Sequence, residues 1–110
     1  MLDMMKMMGK LKEVQEKVKV AQSELKNVTA SAESGAGMVS AKVNGLKEII
    51  ELNIDDSLVN KDDSEMMKDL IIAAVNKAMA EVEVSSKEHL RKATEGFMPN
   101  IPGFDLNNMV

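Results

Sequence analysis

Between Glu33 and Gly45 the chain changes its periodicity, and few architectures tolerate what stands on either side. The stretch reads Glu-Ser-Gly-Ala-Gly-Met-Val-Ser-Ala-Lys-Val-Asn-Gly. Gly35 and Gly37 can take positive φ at little cost, so Ser-Gly-Ala-Gly predicts a tight reversal between strands. From Val39 onward, Val39, Ala41 and Val43 alternate with Ser40, Lys42 and Asn44, the period of a strand with one buried face. Asn44-Gly45 is a second hairpin signal with apolar residues on both sides. Two reversals so close together predict three short antiparallel strands, over 28–32, 38–44 and 47–54. The third carries Ile50, Leu52 and Ile54 on its apolar face, with Ile49 opposite them beside Glu51 and Asn53. A sheet of that size leaves edges that another chain can pair with or cover.

What precedes and follows the sheet has helical spacing. Met4, Met7, Leu11, Val14, Val18, Ala21, Leu25 and Val28 repeat at intervals of three and four. That heptad pattern predicts a helix from about Leu2 to about Asn27 with a narrow apolar seam for another helix. Downstream, Met67, Leu70, Ile71, Ala74, Val75, Ala78, Met79, Val82, Leu90 and Ala93 predict a second, longer helix stopped by Gly96. Its run Leu70–Val75 is apolar nearly all round and is expected to lie buried against the sheet. The acidic connection between Asp55 and Glu65 lacks the glycine and the order of a calcium loop. Asp62 followed by Glu65 instead has the spacing of a capping box. The expectation is therefore an α+β chain in the order α-β-β-β-α. One domain covers 1–96, and 97–110 form a tail containing Pro99 and Pro102.

Composition narrows the function. The chain has 110 residues, no Cys, eleven Met and two aromatic residues, Phe97 and Phe104. A core without more aromatics must be built from aliphatic side chains and Met, which suits helix packing on a thin sheet. The lack of Cys excludes disulfides and thiolate metal sites and is compatible with a reducing cytoplasm. The first eight residues are too short and too charged, with Asp3 and Lys6, for a signal peptide or membrane span. No nucleophile elbow, phosphate-cradling glycine loop or apolar carboxylate pocket is recognisable, so no enzyme activity, cofactor, metal or small-molecule substrate is expected. His89, the sole histidine, is expected to be a solvated residue on a polar helix.

The formal net charge of −4 is unevenly spread. Residues 1–28 carry six Lys against four acids, a net of +2, whereas 45–84 carry four Lys against ten acids, a net of −6. Helices of roughly 38 and 45 Å cannot be covered by strands of about 20–23 Å, so the start of the first and the end of the second must overhang the sheet together. That tip carries Lys6, Lys10, Lys12, Lys87, Arg91 and Lys92 against Asp3, Glu88 and Glu95.

Several stretches taken together resemble the YbaB/EbfC family of bacterial nucleoid-associated proteins. They are Glu33–Val39, Val43-Asn44-Gly45, Ile54–Leu58, the helix Met67–Ala78 and Pro102-Gly103-Phe104. The resemblance spans residue 1 to about 104. It implies a tweezer-like homodimer with projecting helices that binds duplex DNA with little sequence preference, in the cytoplasm and on the nucleoid. Geometry and sign agree only at the overhanging tip, so phosphate contact is expected at Lys6, Lys10, Lys12, Arg91 and Lys92. The competing expectation is a protein–protein adaptor that holds partners through its helical hairpins or sheet edges.

Overall fold

The computed structural model describes residues 2–95. Their order is α1 (Leu2–Ser23), a 3-10 turn (Glu24–Asn27), β1 (Thr29–Ser34), β2 (Val39–Asn44), β3 (Ile49–Ile54), a second 3-10 turn (Asp56–Leu58) and α2 (Ser64–Ala93). This is the expected α-β-β-β-α arrangement of an α+β fold. The strands form one antiparallel sheet in the order β1-β2-β3. The Gly96 stop and the tail at 97–110 lie outside the described residues.

The alternation read from β2 is what the core uses. Val39, Ala41 and Val43 are buried, and α2 lies over them with Ala74, Ala78 and Val82. Leu58, swung inward by the second 3-10 turn, packs with Val39, Ala41 and Ala74. Asp55 shapes that turn, its carboxylate accepting the Ser57 backbone N–H at 2.9 Å. The first hairpin turns where expected. Gly35 has φ +59°, and a Cβ there would stand 2.8 Å from Leu70 Cδ1, so both conformation and space favour glycine.

Four details depart from expectation. The β2–β3 turn is longer than an Asn-Gly reversal, and its positive φ falls on Lys47, at 64°. Asn44 holds it closed, with Oδ1 accepting from the N–H groups of Leu46 and Glu48. Gly45 is required for close approach instead: a Cβ there would lie 2.6 Å from Leu25 O and 2.8 Å from Ser86 Oγ. Second, the register shifts between Lys42 and Val43, which pairs Val43 with Ile49. Cross-strand partners share a face, so Ile49 sits on the same side as Leu52 and Ile54 rather than opposite them. Third, α2 starts at Ser64 with Asp63, not Asp62, at its N-cap, and Asp63 makes no side-chain cap bond. Asn60 takes the role of organiser, donating to the Asp63 carboxylate and accepting its backbone N–H. Fourth, the apolar run of α2 is buried on one side only: Ile72 is 58% exposed.

Coverage of the sheet is lopsided. α2 lies across β1 and β2 and barely reaches β3. Ile49, Ile50 and Leu52 are consequently half exposed, although their residue types belong in a core.

Candidate nucleic-acid interface

The geometry of α1 follows from where its seam finds a partner. Its 22 residues make a rod about 33 Å long, and the 30 of α2 make one about 45 Å long. The two run antiparallel. Leu25 lies near Ser86 across Gly45, and Glu24 lies beside His89. Glu16 and Lys17 share a groove of about 580 Å³ with Lys92 and Glu95. Ala21 and Leu25 are buried and Val14 and Val18 half-buried. Every residue from Asp3 to Glu13 is exposed. Among the described residues, 2–13 project alone beyond the end of α2 for about 18 Å.

The five cationic residues expected at one tip are therefore distributed along a single arm. Lys6, Lys10 and Lys12 lie on its solitary part, whereas Arg91 and Lys92 sit lower, on the last turn of α2. Lys12 is about 6 Å along the axis from the level of Glu16, and Lys6 about 15 Å. Among the described residues, Lys6, Lys10, Lys12 and Lys92 have no carboxylate within 4.0 Å. Arg91 is engaged: its guanidinium forks onto Glu88, with Nη2 to Oε1 at 2.7 Å and Nε to Oε2 at 3.0 Å. The hydrogen bond from Arg91 holds the Glu88 carboxyl below the usual carboxylate range, and the same pair raises Arg91. Lys87 is likewise paired, with Glu83 at 3.4 Å.

His89 is only partly the solvated residue expected, its side chain being 32% exposed. The root of α1 runs past it, and Nε2 is shielded from solvent 3.9 Å from Glu24 Oε2 with no hydrogen-bond partner. Its spacing of three from Ser86 puts it beside the buried stripe Val82, Ser86 and Leu90. Ser86 itself interrupts the apolar pattern, which is why that stripe is hard to follow in the sequence. Among the described residues no three His, Cys, Asp or Glu side chains gather in a way that could hold a metal. No described helix is long and apolar enough to cross a membrane.

A projecting helix with unpaired lysines can meet a polyanion without first breaking ion pairs. Comparison with known proteins gives that geometry a context. The family model described as the YbaB/EbfC DNA-binding family matches residues 1–97. The chain belongs to that family. A nucleoid-associated protein of Brucella ovis is 43% identical over 106 residues, covering 96% of this chain and 98% of its own. Another from Caldanaerobacter subterraneus is 42% identical over 97 residues, covering 88% of this chain and 86% of its own. Among solved structures, an uncharacterized protein of Helicobacter pylori matches with a TM-score of 0.65 at 33% identity, covering 74% of this chain and 86% of that one.

Proposed function

We propose that this YbaB/EbfC family protein is nucleoid-associated and binds duplex DNA as a homodimer, with little sequence preference. The observation that carries the reading is the solitary arm of α1, where Lys6, Lys10 and Lys12 stand exposed and without ion-pair partners among the described residues. Family membership and relatives described as nucleoid-associated support it. Phosphates are met by these lysines, with Lys92 and Arg91 contributing from α2 where the duplex reaches the base of the arm. Arg91 must exchange Glu88 for phosphate, so its contribution is the smaller.

The homodimer reading draws on β3. Ile49 and Leu52 are 52% and 42% exposed on the side of the sheet that α2 occupies, at a bare sheet edge. A second copy covering that edge removes both the apolar exposure and the unpaired backbone groups. Such a dimer carries two arms, and a duplex lies between or against them. Light scattering at micromolar concentration is expected to give twice 12.0 kDa. Duplex affinity is expected to fall steeply as salt rises. Binding that is weak and flat with salt would instead favour the adaptor reading, in which β3 receives another protein.

A further inference from the structure

The arm presents more than charge. Met4, Met7 and Leu11 form the outer half of the heptad seam and are 69%, 64% and 58% exposed. Successive residues advance by about 100° around a helix, which puts Lys10 on one flank of this stripe and Lys12 on the other, with Lys6 behind Lys10 toward the back. Met5 and Met8, also exposed, widen the stripe toward Lys12. The acids on this stretch are Asp3, near the Lys10 flank, and Glu13, on the back.

A second α1 packed in parallel is a poor occupant for the stripe. The positions that would flank a coiled-coil seam hold Asp3, Lys10, Lys17 and Glu24 on one side and Met8, Gln15 and Gln22 on the other. Parallel pairing sets Lys10 and Lys17 against Gln with no complementary charge, and antiparallel pairing offers Lys an acid only in registers that bring Asp3 or Glu24 opposite it. A duplex fits better. A helix about 10–12 Å across matches the roughly 12 Å major groove. Phosphates border that groove on both sides, as the lysines border the stripe.

Resting on the DNA-binding reading, we infer that the α1 arm enters the major groove and that Met4, Met7 and Leu11 contact thymine methyl groups on its floor. Lys10 then takes a phosphate of one strand and Lys12 a phosphate of the other. The lysines supply the salt-dependent part of affinity. The stripe supplies a salt-independent part and a mild preference for thymine-containing sequence.

The test uses the full chain and two duplexes of the same sequence, one with thymine and one with uracil, which lacks the C5 methyl. Anisotropy titrations across a salt series are expected to show several-fold weaker binding to the uracil duplex with the same slope against log salt. The variant M4Q/M7Q/L11Q keeps helix-forming residues at exposed positions. It is expected to bind the thymine duplex roughly tenfold more weakly at every salt concentration and to lose the thymine–uracil difference. Equal wild-type affinity for both duplexes overturns the inference and leaves the DNA-binding reading standing. A variant whose melting temperature or light-scattering mass changes also overturns it, because the stripe is then covered by protein. No duplex binding by wild type at about 50 mM salt overturns both.

Discussion

Leu25 and Leu11 occupy equivalent positions of one heptad pattern, Leu11 on α1 and Leu25 on the 3-10 turn that follows it, yet Leu25 is 7% exposed and Leu11 58%. The difference is supplied by other elements. At the root of α1, α2 and the β2–β3 turn close around the seam, and Gly45 lets the turn's backbone approach Leu25 O. At the tip α2 has already ended. One repeat thus has two environments: the root is buried and anchors the arm, and the tip is an exposed apolar surface.

The most damaging way to probe this contrast is one substitution made at both positions. Leu25→Ala is expected to destabilise by about 3 kcal/mol, because it removes a buried side chain and leaves a cavity. Leu11→Ala is expected to stay within about 0.5 kcal/mol of wild type. Urea denaturation measures both, and equal losses would erase the distinction between root and tip. Gly45→Ala comes next, at about 1–3 kcal/mol, since the added methyl meets a backbone carbonyl that has no room to yield. If Gly45→Ala is silent, the turn does not brace the root.

The smallest effect belongs to the exposed Glu88–Arg91 pair beside the root. Glu88 titrates lower in the folded chain than in the unfolded one, held down first by the Arg91 hydrogen bond. Its contribution is therefore fully present above the usual carboxylate pKa and is lost as pH falls through the depressed value. Thermal melts are expected to show a slight acid-side loss in wild type that Glu88→Gln lacks. That variant also frees the Arg91 guanidinium and is expected to strengthen duplex binding. A large loss of stability at neutral pH would mean that ion pairing, and not burial, roots the arm.

Much of the fold is legible in the residues. The alternation from Val39 to Val43 identifies the buried face of β2, and Gly35 the first reversal. The stripe from Met67 to Val82 identifies the face of α2 that meets the sheet. Periodicity reports which face is apolar but not what covers it. The bare side of β3, the exposure of Ile72 and the solitary tip of α1 therefore emerge only when the elements are assembled. Register is similarly silent: the shift beside Val43 moves Ile49 to the other face with no local signal. The candidate phosphate-binding residues are legible by charge, but their division between a free arm and the end of α2 depends on where α2 stops.

Whether the arm meets DNA phosphates is decided by the salt dependence of duplex affinity in wild type and in K10E/K12E/R91E. Removing one lysine– or arginine–phosphate interaction lowers the slope of log affinity against log salt by about 0.9. The triple variant is expected to show a slope shallower by up to about 2.7, with most binding gone on every sequence and with mass and helix content unchanged. Wild-type affinity with an unchanged slope would contradict it and move the DNA-binding surface elsewhere on the molecule.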